Sequence, residues 1–207
     1  MADDVMTRLL DRHGRTFADE AGIALRDEPS PLFELLVLTH LLSANLSADL
    51  GVRAATALKK TYRSASSMAE AGDDAVFAVL DEAKFLRKHK TAELLGRTAQ
   101  HVVDEWDGDL RRLRDAAEGD AGRVGALVQD FPGIGAVGAD IFCREAQAVW
   151  PSLRPFVDDR VLGTATALGL PGSADELAEA LGDDDLSVLG AALVRCERAD
   201  DGDELRG

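Results

Sequence analysis

Two glycines one residue apart, Gly133 and Gly135 in "QDFPGIGAVGADIF", interrupt a helical pattern that resumes at once. Glycine permits positive φ and leaves no side chain over the backbone. The bare segment Pro132-Gly133-Ile134-Gly135, with the N-terminus of the following helix, can aim N–H groups at one anion. A phosphate fits such a site without needing a lysine. The same four residues also read as an ordinary tight turn between two core helices. A second group of interest is "KFLRKHK", where apolar Leu86 is flanked by Lys84, Arg87, Lys88 and Lys90. An apolar tip in a basic loop suits a polyanion, although a leucine at a solvated helix start gives the same pattern. His40 and His89 stand apart from each other and are expected to be structural or surface residues; no metal site is expected.

The elements that must position these residues read as helices. The chain has 207 residues, 46% hydrophobic and 29% charged, enough to bury a core as one globular unit or two interleaved small ones. Aromatics are only 5% while Ala and Leu abound, which favours helices over a β-sandwich. "SPLFELLVLTHLLSAN" starts at a candidate N-cap, Ser30, and is too apolar for an exposed helix. Ser47 is the N-cap candidate for "SADLGVRAATALKKTYR". Helical segments follow as "SSMAEA", "DDAVFAVLDEA", "HKTAELLGRTAQHVVDEW", "RVGALVQDF", "AVGADIFCREAQAVW", "FVDDRVLGTATALGL", "SADELAEAL" and "DLSVLGAALVRCER". The final "ADDGDELRG" is expected to fray. No stretch alternates with period two long enough to be a strand.

Charge needs a decision, because a net −15 argues against a polyanionic partner. The excess is uneven. Residues 53 to 114 hold 12 Lys or Arg against 10 Asp or Glu, whereas residues 171 to 207 hold 3 against 11. A local basic face therefore survives. Two cysteines, Cys143 and Cys196, exclude a disulfide framework and a four-cysteine metal or iron–sulfur site within the chain. The acidic start "MADDVMTRLL" is no signal peptide, and no apolar stretch approaches the roughly 20 residues of a membrane span. The expectation is a soluble, cytoplasmic protein, with no membrane partner.

Four segments, in order and at matching spacings, resemble the helix-hairpin-helix DNA glycosylase superfamily, the endonuclease III-like proteins. They are "LLSANLSAD" (41–49), "FLRKHKTAELL" (85–95), "FPGIGAVGADIF" (131–142) and "FVDDRVLGTATALGL" (156–170), and the resemblance runs from about residue 31 to 169. It implies an all-α fold of two helical lobes with a cleft between them: a central six-helix lobe of residues 31–150, and a second lobe formed by residues 1–30 and 151–207. It implies a monomer acting on double-stranded DNA that contains a damaged or mismatched base. Asp158 maps to the shared catalytic aspartate, which stabilises oxocarbenium-like charge or activates water, with Asp159 as the fallback if the register differs. Asp158 also reads as a helix N-cap, and the two roles are compatible. The implied DNA contacts are Pro132, Gly133, Ile134, Gly135 and Val137 at the hairpin, Asn45 in the slot of a plugging glutamine, Leu86 as an apolar wedge, and Arg87, Lys88 and Lys90 beside it. A monovalent cation held by hairpin carbonyls is a further implication.

The departures carry as much meaning. Bifunctional members attack the sugar with a lysine in the helix after the hairpin; here that slot is Val137, and no lysine follows position 90. Base removal by water, without strand cleavage, is the expected chemistry. Only Cys196 lies where the iron–sulfur branch has four cysteines, so no cluster and no cofactor are expected. Gly163 and Ala167 replace arginines in the aspartate motif. Three functions stay open: a monofunctional DNA glycosylase, a member that binds DNA or lesions without excision, and a helical interaction protein in which "PGIG" is only a turn.

Overall fold

A computed structural model describes residues 2–44, 46–182 and 185–206, with side chains from Asp4 onward. Among the described residues there are fourteen α-helices, a 3-10 turn at Pro151–Leu153, and no strand. The helices are α1 (Ala2–His13), α2 (Phe17–Glu20), α3 (Pro29–Leu42), α4 (Ala48–Thr61), α5 (Ala65–Ala71), α6 (Asp73–Glu82), α7 (Lys88–Trp106), α8 (Arg111–Ala116), α9 (Ala121–Gln129), α10 (Ala136–Ala146), α11 (Asp159–Ala167), α12 (Ala174–Leu181), α13 (Leu186–Ala199) and α14 (Gly202–Arg206). They form two compact units: Ala18–Cys143, and Met1–Phe17 with Arg144–Gly207. These limits differ from the 30/31 and 150/151 divisions read from the sequence. The segment after α2 is bonded to α4: Thr56 Oγ1 donates to the Ala21 carbonyl at 3.3 Å, and Lys59 Nζ donates to the Gly22 carbonyl.

In the unit 18–143, α3 is buried from Leu32 to Leu42, as its unbroken apolar run requires. Its N-cap is Glu28 and not Ser30: Pro29, which has no N–H to satisfy, takes the first helical position and moves the start upstream. Ser47 does cap α4, accepting from the Leu50 amide at 3.4 Å. The long α7 packs against α5 and α6 through Ala92, Leu95, Ala99 and Val102, all buried at three- and four-residue spacing.

In the other unit, α13 lies against α1 and α11, and α14 against α1. The expected frayed end is instead helix α14. Its Leu205 is buried, and Arg12 reaches Asp201 at 3.1 Å and Glu204 at 2.8 Å, with His13 Nε2 2.9 Å from Asp201. One apolar anchor and a set of ion pairs to α1 order a segment whose composition alone reads as tail.

Candidate functional site

The hairpin lies between α9 and α10. Phe131 and Ile134 are buried on either side of Pro132-Gly133, and the Ile134 amide donates to the Phe131 carbonyl at 3.0 Å. Gly133 has φ +82°, and a Cβ there would sit 2.9 Å from Leu94 Cδ1 and 3.1 Å from His40 Cε1. Glycine is needed at Gly133 both for conformation and for space. Gly135 differs from the sequence reading: it is outside the left-handed region, and a Cβ there would meet nothing within 4 Å. Neither an unusual φ nor a close neighbour requires glycine at Gly135.

A residue left as merely structural in the sequence holds this turn. The Pro132 carbonyl accepts from His40 Nε2 at 2.7 Å and, more weakly, from Thr98 Oγ1 at 3.5 Å. A carbonyl only accepts, so the proton of the neutral ring is on Nε2. Burial pushes the His40 pKa down, which keeps the ring neutral.

Val137, on the first turn of α10, is 61% exposed, and Leu86, just before α7, is 68% exposed. They are the large hydrophobic side chains left in water among the described residues. Beside Leu86, Phe85 is buried and Lys84 takes φ +60°, so the loop turns sharply and projects the leucine outward. Its basic neighbours are less available than the sequence implies. Lys88 is ion-paired with Asp81 and lies 5.7 Å over the Phe77 ring, and Lys90 meets Glu93 at 3.0 Å. The Lys88 hydrogen bond in turn holds the Asp81 carboxyl below its usual range. Arg87 is exposed and makes no ion pair among the described residues. His89 stacks on Phe77 at 4.2 Å. Asn45 lies outside the described residues.

In the other unit, Asp158 is the N-cap of α11: one oxygen, Oδ1, accepts from the Val161 amide at 3.1 Å. The other, Oδ2, accepts from Nη1 of Arg144. Both side chains are nearly sealed from water, at 4% exposure for Arg144 and 5% for Asp158. Arg144 fits because α13 has a glycine opposite it; a Cβ on Gly190 would be 2.8 Å from Arg144 Cδ. Arg144 Nε is buried without a hydrogen-bond partner. One turn further, Gln147 donates to the Phe156 carbonyl at 2.9 Å and accepts from the Phe156 amide at 3.1 Å, which fixes the segment entering Asp158. Asp159, by contrast, is exposed. Sequence reasoning missed Arg144 altogether, because nothing local marks an arginine in the last turn of a helix as the partner of a carboxylate 14 residues away.

Gly163 and Ala167, the positions without arginine, line an open cavity of about 510 Å³ with Arg160, Cys196 and Glu197. Among the described residues no group of three or more His, Cys, Asp or Glu is placed to hold a metal ion. Both thiols are buried, with pKa pushed up to about 12 for Cys143 and about 11 for Cys196. Among the described residues no helix is long and apolar enough to cross a membrane.

No family model matches the chain, and no curated protein matches its sequence. Its fold does match solved structures. One is a trapped endonuclease III–DNA covalent intermediate in an estranged-adenine complex, with TM-score 0.58 and 16% identity, covering 96% of this chain and 84% of that one. Another is a non-covalent endonuclease III–DNA complex, with TM-score 0.56 and 16% identity, covering 94% of this chain and 81% of that one. The helical architecture, with its hairpin between α9 and α10, is thus an endonuclease III-like helix-hairpin-helix fold.

Proposed function

We propose that this protein binds double-stranded DNA and removes a damaged or mismatched base by hydrolysis, as a monomer and without an iron–sulfur cluster. The observation that supports this best is the pair Leu86 and Val137, large apolar side chains held in water at a loop tip and at the start of the hairpin helix. Isolated apolar exposure is ordinary, but by the sequence resemblance these two correspond to the wedge and lysine positions of endonuclease III-like proteins. An extruded nucleotide leaves a gap in the stack, and Leu86 suits its filling. The start of α10 suits a backbone phosphate, since Gly135 carries no side chain there and nothing lies within 4 Å of where its Cβ would be. Asp158 is the group to stabilise positive charge on the sugar as the glycosidic bond breaks. Val137 has no amine, so water and not the protein attacks the sugar. Release of free base from a panel of lesion-containing duplexes tests this, and complete absence of release refutes it.

The Arg144–Asp158 ion pair favours a second reading, DNA or lesion binding without excision. A carboxylate about 4 Å from a developing cation stabilises it by roughly 4 kcal/mol at an effective dielectric of about 20. A guanidinium about 7 Å away opposes that with roughly 2.4 kcal/mol, more than half. Tight, lesion-selective binding with no base released would establish the second reading.

A further inference from the structure

The segment 171–207 is the most acidic in the chain, with only three basic residues, Arg195, Arg198 and Arg206. Two of these lie on one stretch of α13, beside a third arginine on α11. At about 100° per residue, Gly190 and Glu197 fall within about 20° of one another around the helix. Gly190 faces Arg144, and Glu197 is ion-paired with Arg160, so this face of α13 is turned to the end of α10 and to α11. Arg195, about 140° further round from Gly190, points elsewhere. Its guanidinium stacks 4.1 Å over the Phe17 ring and bonds to the Arg15 carbonyl at 3.3 Å. Arg198 is at about 80°, between the two. It is exposed, makes no ion pair among the described residues, and has Arg160 on one side and Arg195 on the other.

A favourable helix dipole accounts for one arginine in the last turn of α13. It does not account for Arg198 standing beside Arg160 without an ion pair of its own among the described residues. Burial, followed by the charges of Arg160, Arg144 and Arg195, lowers the pKa of the Arg198 guanidinium despite the opposing pull of Glu197. An anion placed there would relieve that repulsion. α11 begins at Asp158, so the patch lies on the element that carries the candidate catalytic carboxylate.

We propose that Arg198, with Arg160 beside it, is a contact site for a phosphate of the DNA backbone. The proposal rests on the DNA-binding reading and adds a named contact in the most acidic part of the chain. A single phosphate contact contributes about 0.9 to the slope of log affinity against log salt, hence roughly eightfold in affinity at 0.1 M salt. Glu197 now neutralises Arg160, so its removal should free a second cation for the same strand.

The test is binding to a duplex bearing a stable abasic-site analogue, measured across a salt series for the unaltered protein, Arg198→Gln and Glu197→Gln. Arg198→Gln should weaken binding roughly eightfold at 0.1 M salt and reduce the salt slope by about 0.9, with an unchanged melting temperature. Glu197→Gln should bind more tightly than the unaltered protein. Unchanged affinity and slope in Arg198→Gln, weakening without a change in slope, or no gain in Glu197→Gln would each overturn the contact while leaving DNA binding in place. Failure of the unaltered protein to bind duplex would overturn the DNA reading itself, and the contact with it.

Discussion

Replacing Arg144 by methionine keeps the aliphatic stem against Gly190 and deletes the charge that faces Asp158. Both side chains are almost fully buried. Breaking a buried ion pair at one partner typically costs about 3–5 kcal/mol, because the remaining charge is stranded. Asp158 keeps its bond from the Val161 amide, which offsets part of that and points to the lower end, about 3 kcal/mol. For a chain of this length about 2–4 °C of melting temperature is lost per kcal/mol, so Arg144→Met should melt roughly 6–12 °C lower. Asp158→Asn should destabilise similarly, since asparagine keeps the cap but leaves Arg144 unpaired. The double variant, with neither charge, should recover most of the loss, giving a coupling of about 2 kcal/mol or more in a double-mutant cycle. Thermal melts and urea titrations of the four proteins measure this. A cost below about 1 kcal/mol for Arg144→Met, the range of a solvated surface pair, or simple additivity in the cycle, would refute the buried-pair argument. The same set isolates chemistry. If Asp158 is the charge stabiliser, Arg144→Met/Asp158→Asn stays folded and binds DNA, but releases base at least about 10²-fold more slowly.

Three other outcomes follow from the hairpin and its surroundings. Gly133→Val should destabilise the protein, because φ +82° and a Cβ 2.9 Å from Leu94 Cδ1 both oppose it; Gly135→Val should melt normally yet bind every duplex more weakly, and unaltered binding would make the hairpin a structural turn. Borohydride should trap no protein–DNA adduct on lesion or abasic duplexes, with strand breaks appearing only after alkali, and a strong adduct would point to an unrecognised amine such as Lys90. His40 has its pKa lowered in the fold, so the unfolded chain takes up the proton first as pH falls; its contribution is complete above the unfolded value of about 6.5 and is lost below it. His40→Gln, which can still donate to Pro132, should flatten the stability difference between pH 7 and 5, and an unchanged difference would show that the ring titrates freely.

The helices were legible wherever periodicity and caps were strong. α3 and α7 follow their apolar patterns, and Ser47 caps α4 as its position suggests. What failed was what depends on partners distant in sequence. The acidic tail reads as frayed because its composition is polar, yet Leu205 and the ion pairs to Arg12 and His13 order it from nearly 190 residues away.

The candidate site divides along the same line. The hairpin was visible because its glycines and the flanking helix starts are contiguous, but its anchor, His40, is 92 residues from the carbonyl it holds. Asp158 was visible as a motif residue and as a cap, both local properties; whether its charge is available was not, because that depends on Arg144 and on the glycine of α13 that makes room for it. The loop around Leu86 gives the converse case. Lys90 and Glu93 stand three residues apart, a spacing that pairs charges on any helix. A count of basic residues therefore overstated the free charge of that loop, although the information to correct it was present. Exposure of Val137 was beyond any such correction. For Leu86 the basic neighbours already pointed to an apolar tip in water, whereas Val137 reads in sequence like any apolar residue near a helix start, and only the path of the folded chain turns it into water. A motif thus identifies which residues to ask about, while burial and pairing decide what they can do.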